Sequence, residues 1–406
     1  MSAKLKSVAA NLALVIVSTL VGLAVGEVAV RLTGSQVIPK THHKLFVEHD
    51  PLLGWRKIPN MTGIHGSDEY TVEESINSKG IRGPEYSYEK PSDEYRILVV
   101  GDSFAEGYTV DFEHLFSEIL ERNLIHPTKR VEVINAGTGG YSTDQEVLYF
   151  SNEGKKYAPD LTILLFYKND VWYNGQPKYW RGFKPLFRFT DDGGLALTGV
   201  PVPMPEIVET DNKAIELSTM GQAKSWLRAN LHSYRLVADS IKNSTVLTNL
   251  AVRVGAMAAP PNRGESEAPR AWHEEMDVFR TQLSDQWHDL WNMTEALLAK
   301  LHTDTEEAGS QLVIFYVPFR AAIYTEEWSG HLRRLQLAEH AWDPNQPGVQ
   351  LRKICERQGL VCIDPTEPFL KSSERLYFVH DGHWNVAGNR LAGELLARHV
   401  AEHISR

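Results

Sequence analysis

Cysteine is nearly missing from this chain: 406 residues contain two, Cys355 and Cys362. That excludes zinc fingers and ribbons, which need four ligands at fixed spacings. It also excludes a small scaffold held together by several disulfides. The pair is read as two buried thiols, one on a helix face and one in a strand, with a disulfide as the alternative in an exported chain. A basic excess is missing too. Lys and Arg number 42 against 52 Asp and Glu, a net charge of −10, so a general nucleic-acid binder is not expected. No segment recurs at a solenoid-like period. Long uncharged apolar runs are scarce, with one exception at the start.

That exception follows Lys4 and Lys6 and extends from Ser7 to Gly26. It is apolar on every face and close to the ~20 residues that span a bilayer. Residues 1–32 therefore read as a single-pass N-terminal membrane anchor, with the lysines cytoplasmic and the rest of the chain outside. A cleaved signal peptide ending near Ala24-Val25-Gly26 is the rival reading, and would make the protein secreted. Residues 33–94 are rich in Gly, Pro, Asn and Ser. The turn signals in PLLGWRKIPN and INSKGIRGPEY predict an accessory β- and turn-rich region packed on a main domain over 95–406.

In that main domain the pattern becomes strand–helix repeats. Strands are expected at 97–100, 131–135, 161–166, 311–317 and 360–363. The first, ILVV, is a continuous apolar run rich in β-branched residues, as in a parallel strand covered on both faces. Ser142 and Gln145 have capping-box spacing for a helix after the second strand. The fold class is α/β: a doubly wound parallel five-stranded sheet flanked by helices. Between the third and fourth strands lies a helical insertion, about 171–308. It carries proline-rich loops at 201–209 and 258–270, with amphipathic helices expected over 231–241 and 272–307. An insertion of this size after such a strand suits a lid, a cap or plain scaffold.

The first strand stops at Gly101-Asp102-Ser103. Parallel sheets do their chemistry just past the carboxyl ends of their strands, so Ser103 stands where a nucleophile is useful. FVHDGHWN (378–385) precedes the last helix. Asn385 can cap that helix, with Val386, Leu391, Leu395 and Val400 as its core contacts. His383 then lies in a loop two residues after Asp381, and an imidazole fixed by a carboxylate can serve a serine as base. NAGTGGYSTDQ follows the second strand, and its glycines permit close backbone approach to a ligand. Asn169 ends the third strand and can donate to a developing oxyanion. Taken singly, each of these segments reads as an ordinary turn or cap.

Together and in this order, GDSF, the glycine turn, the strand-end Asn169 and the Asp-x-His resemble the SGNH (GDSL) hydrolase superfamily. The resemblance covers about residues 95–172 and 310–402. It implies an SGNH or flavodoxin-like sheet, with Ser103 as nucleophile and His383 as base. The oxyanion hole would comprise the Ser103 amide, Gly140 and Asn169. Two positions depart from the family pattern. Tyr167 stands where glycine is usual, and His380 occupies the usual place of the acid. Asp381, at the shorter spacing that some exported polysaccharide-modifying members resemble, is taken as the orienting acid. Asp102 is taken as a structural residue of the turn.

The run 171–189 interleaves Trp172, Tyr173, Tyr179, Trp180 and Phe183 with Lys178, Arg181, Lys184 and Arg188. Such a run suits sugar rings or an anionic polymer, and equally suits a loop packed under the insertion. Trp172, Tyr141 and Trp384 are the substrate-binding candidates. No cofactor is expected. His380, Asp381 and His383 lack the further ligands of a metal site. The leading function is an exported serine esterase that removes acetyl or another small acyl group from a carbohydrate. The alternatives are an O-acyltransferase acting on an envelope or secreted polysaccharide, supplied by a membrane acyl-donor protein, and an inactive binding module. The partners implied are an acylated carbohydrate or small ester and the membrane, not nucleic acid.

Overall fold

A computed structural model describes residues 14, 18, 21–22, 24–32, 46–67, 69–204, 231, 234, 275–334 and 337–404. Contacts divide the chain into two compact units, 1–39 with 206–266 and 40–205 with 267–406. In the first, residues 24–32 are helical and Arg31 bonds Glu27 at 2.9 Å. Most of the apolar Ser7–Gly26 stretch lies outside the described residues, as do most of 231–241 and all of 258–270. Among the described residues no helix is long and apolar enough to cross a membrane. The expected N-terminal transmembrane helix therefore has no support in the described part of the fold.

The second unit opens with two antiparallel hairpins. One pairs β1 (Val47–Asp50) with β2 (Gly54–Lys57), the other β3 (Thr62–Gly66) with β4 (Thr71–Ser75). Then come β5 (Glu94–Gly101), the short helix α1 (Ser103–Glu106), α2 (Phe116–Asn123), β6 (Arg130–Asn135), α3 (Thr143–Asn152), β7 (Leu161–Phe166) and α4 (Asn169–Tyr173). The described residues of the insertion include two further hairpins, β8 (Lys178–Tyr179) with β9 (Gly182–Phe183) and β10 (Leu186–Phe189) with β11 (Leu195–Thr198). The insertion also contains α5 (Asp285–Glu307), and after it come β12 (Gln311–Tyr316), α6 (Arg320–Ile323) and α7 (Thr325–Arg334). The chain continues through α8 (Gln346–Gln358), β13 (Val361–Ile363), α9 (Thr366–Leu370) and α10 (Val386–Ile404).

Five parallel strands form the central sheet in the order β13-β12-β7-β5-β6. Read from the β6 edge, the second strand in the chain comes first, then the first, third, fourth and fifth. This is the flavodoxin-like doubly wound order. The ILVV run explains the layering. Leu98 and Val100 face one side, with α3, α5 and α8 contributing Val147, Leu297, Leu301 and Leu351. Ile97 and Val99 face the other, with Phe116 and Leu120 of α2 and Leu395 and Leu396 of α10. The order of strands reverses at β5, and the crevice beside its carboxyl end is the natural ligand position of such sheets.

Three local expectations need correcting. The helix expected from Trp272 begins at Asp285, after a 3-10 turn at Asp277–Phe279. Ser284 takes the extended N-cap conformation there, and Asp285 puts negative charge on the first turn. Val386 is 43% exposed rather than a core contact, whereas Leu395 and Val400 are buried. The third correction concerns the cysteines: Cys355 and Cys362 form a disulfide, with Cα atoms 6.2 Å apart, joining the end of α8 to β13. Alternation in β13 brings the second sulfur back under the helix. Closing so short a loop stabilises by about 2 kcal/mol in the chain-entropy account. Cys355→Ala/Cys362→Ala should therefore melt several degrees lower with unchanged far-UV circular dichroism.

Candidate active site

Why β5 ends in Gly-Asp-Ser is answered by crowding. A Cβ on Gly101 would lie 2.7 Å from the Ala105 Cβ and 3.1 Å from Leu165, so only glycine lets the chain turn into α1 so sharply. Asp102 caps α1 by accepting the Phe104 N–H at 2.8 Å and receives the Asn169 side-chain amide at 3.3 Å. Complete burial pushes its carboxyl up to about 6, against the pull of the Phe104 N–H, the His383 charge and Asn169. Asp102 is thus structural, and Ser103 is the first residue presented beyond the strand.

Ser103 Oγ lies 2.7 Å from His383 Nε2. His383 Nδ1 lies 2.5 Å from Asp381 Oδ1. An ionised carboxylate only accepts, so Nδ1 carries the proton and Nε2 is left as the acceptor facing Ser103. Burial pulls Asp381 up, but the hydrogen bonds and charge of His383, with Tyr70, outweigh it and hold it at about 2. The carboxylate that meets His383 is therefore that of Asp381, at the Asp-x-His spacing, and His380 is exposed. Serine, histidine and aspartate meet although 280 residues separate the first two.

The glycine turn has one amide to spare. The N–H groups of Gly137, Thr138, Gly139 and Tyr141 bond to Asn135, Gly101, Glu106 and Thr138. The Gly140 N–H has no acceptor among the described residues. Gly140 has φ +77°, and a Cβ there would meet the Trp180 ring at 3.1 Å. The first hairpin buttresses this turn: Trp55 Nε1 donates to Gly139 O at 3.0 Å, and buried Lys57 donates to Gly137 O. Lys57 also lies 3.6 Å from Glu106. Tyr167 fits where glycine is usual, its ring 4.6 Å from that of Phe104.

The substrate-binding candidates do not hold. Trp172, Tyr141 and Trp384 are 6%, 2% and 1% exposed. Trp172 stacks on Trp287 at 5.6 Å, and Tyr141 donates to the Trp55 carbonyl at 2.7 Å. Trp384 packs on Phe104 and Phe369 in the core below His383. Their area is spent on packing, which composition alone could not distinguish from sugar stacking. Of the 171–189 run, Lys184 is buried against Asp144, while Trp180 and Phe183 retain exposure.

Residues with no sequence signal complete the site. Tyr70 donates to Asp381 Oδ2 at 3.1 Å, and Tyr108 lies 3.2 Å from His383 Nδ1. Glu69 accepts backbone amides of the loop carrying Asp381. The described residues contain no group of three or more His, Cys, Asp or Glu side chains placed to hold a metal.

Comparison with known families places residues 279–406 in match with the SGNH hydrolase-like domain described as acetyltransferase AlgX. The resemblance to the SGNH superfamily read from the motifs agrees with it. The matched span contains Asp381 and His383 and stops short of Ser103, Gly140 and Asn169. No curated protein matches the sequence. Similar solved structures include a lipase/acylhydrolase from Enterococcus faecalis, at 10% identity and TM-score 0.37, covering 76% of this chain and 96% of that one. The acetyl xylan esterase AlAXEase is 13% identical, with TM-score 0.38 and coverage of 75% and 99%. A catalytic mutant of Axe2, an acetylxylan esterase from Geobacillus stearothermophilus, is 12% identical, with TM-score 0.37 and coverage of 75% and 94%.

Beneath the site lie buried carboxyls. Burial, and then the neighbouring charges of Asp170, Asp102 and Asp144, push Glu146 well above its ordinary value. Neither Glu146 oxygen has a hydrogen-bond partner among the described residues. A raised carboxyl pKa means the folded state holds a proton that the unfolded chain has already released, so stability falls as pH rises above the unfolded value. Glu146→Gln copies the protonated form. It should raise the melting temperature at pH 8 and leave it nearly unchanged at pH 4, as measured by thermal melts.

Proposed function

We propose that this chain is an exported serine-dependent acyl-ester hydrolase that removes acetyl or another small acyl group from a carbohydrate. The observation that carries the reading is the unbroken relay of Ser103 Oγ, His383 and Asp381, with both hydrogen bonds already formed. In this mechanism His383 Nε2 takes the Ser103 proton as Oγ attacks the ester carbonyl. Asp381, ionised throughout the neutral range, stabilises the imidazolium. The tetrahedral oxyanion is met by the amides of Ser103 and Gly140 and by the Asn169 side chain. Nε2 then returns its proton to the leaving alcohol, and an acyl-serine remains. Water, deprotonated by His383, attacks that acyl group, releases the acid and restores Ser103.

The same acyl-serine would pass its acyl group to a sugar hydroxyl if one reached it before water. The acetyltransferase in the description of the matched family favours this second reading, which requires an acyl donor such as a membrane protein. Export is supported by the Cys355–Cys362 disulfide, because oxidising compartments preserve such bonds. The apolar stretch behind two lysines supports a membrane anchor with the catalytic unit outside.

Turnover of p-nitrophenyl acetate by the full chain tests the proposal. Ser103→Ala and His383→Ala should each lose on the order of 10⁴-fold or more in kcat, and Asp381→Asn about 10³–10⁴-fold. Equal rates in all four proteins would leave an inactive module on this fold. Adding an unacetylated glycan separates the two active readings: free acetate marks the hydrolase, acetylated glycan the transferase.

A further inference from the structure

Glu69 occupies the turn between β3 and β4, more than 300 residues from the loop that carries Asp381 and His383. Its carboxylate accepts three consecutive amides of that loop. The Val379 N–H reaches Oε1 at 2.7 Å; those of His380 and Asp381 reach Oε2 at 2.9 Å and 2.7 Å. The neighbouring Tyr70 donates to Asp381 Oδ2. Arg320 donates to the carbonyls of Phe378 and Val379 at 3.1 Å and 2.7 Å. Donors and acceptors of one short segment are thus held from two elements that are remote in sequence.

The chemistry of the relay makes this clamp consequential. Residues 378–383 lie in no helix or strand. A lone bridge of Tyr377 with Trp384 and the Phe378 N–H on the His383 carbonyl at 3.1 Å close the ends of the loop. The amides of residues 379–381 at its tip take their acceptor from Glu69. A misplacement of about 1 Å can cost on the order of 100-fold in rate. Successive amides converging on one anion form a strong and directional anchor. Burial pulls the Glu69 carboxyl upward, but the amides of Asp381, His380 and Val379 outweigh it, so the group stays ionised at neutral pH.

We propose that Glu69 is a positioning residue: its carboxylate fixes the 379–381 backbone so that Asp381 meets His383 Nδ1, and turnover depends on it although it touches no reacting atom. The inference rests on the Ser103–His383–Asp381 reading above. It makes the β3–β4 hairpin part of the active site.

The test compares full-length wild type, Glu69→Ala, Glu69→Gln and Ser103→Ala on p-nitrophenyl acetate, with thermal melts and the downfield proton resonance of His383 Nδ1–H. Glutamine can keep one oxygen on the His380 and Asp381 amides while turning an NH₂ group against that of Val379. Glu69→Ala should lose about 10–100-fold in kcat with KM unchanged, and should lose the downfield resonance. Glu69→Gln should fall between it and wild type and keep the resonance. Wild-type kcat in folded Glu69→Ala, whatever its melting temperature, would overturn the proposal, as would a change confined to KM. Should Glu69→Ala fail to fold, wild-type kcat in Glu69→Gln would overturn it equally. Wild type no faster than Ser103→Ala would instead remove the esterase reading, and this inference with it.

Discussion

An imidazole can relay a proton only while one nitrogen faces the nucleophile and the other is held by a carboxylate. In the proposed relay the nucleophile follows the first strand of the sheet, whereas base and acid sit in a loop before the last helix. Everything else in the unit can be understood as bringing those two places together and holding them within hydrogen-bond tolerance. The doubly wound order puts β5 at the middle of the sheet. The α10 helix packs on the same face as α2, with Leu395 and Leu396 beside Phe116 and Leu120. That packing delivers His383 to Ser103. The short bonds on either side of the ring are the outcome of core packing as much as of polar chemistry.

Packing brings the segments near one another, and charged side chains then fix their backbones. Four charged side chains outside the relay bond to main-chain groups around it. Lys57 holds the carbonyl of Gly137, and Glu69 holds the amides of residues 379–381. Arg82 takes the carbonyls of Gly107 and Val110 just after α1, and Arg320 takes those of Phe378 and Val379. Charge-assisted bonds of this kind are about twice as strong as neutral ones, and for Lys57 and Arg82, which are buried, the backbone partners offset the cost of desolvating the ion. Three of the four come from residues 46–94, so this small region supports the site from beneath the glycine turn, behind the nucleophile and beside the acid.

What was readable in the sequence was local. The sheet was visible because β5, β7 and β12 carry largely apolar runs, which both-face burial demands, and because the edge strand β6 keeps Val131, Val133 and Ile134. Ser103 stood out by its place just past a buried strand and by motif order, and Asp381 and His383 because they lie two residues apart before a helix. Glu69, Lys57 and Arg82 were invisible because their partners lie from about 25 to over 300 positions away and nothing nearby in sequence marks them. Trp172, Tyr141 and Trp384 were misassigned because an aromatic beside a motif suits a core as well as a sugar, and burial depends on elements such as α5 and α9 that lie far along the chain. The thiol reading of Cys355 and Cys362 failed for the same reason: whether two cysteines meet depends on how α8 lies over β13.

The central claim is that Ser103 is activated by His383. A fluorophosphonate probe followed by peptide mass mapping tests it most directly. The account predicts a single adduct on Ser103 in the full-length protein, and none at the same dose in His383→Ala. An unlabelled Ser103 in a wild-type protein that still hydrolyses p-nitrophenyl acetate, or equal labelling with and without His383, would contradict it.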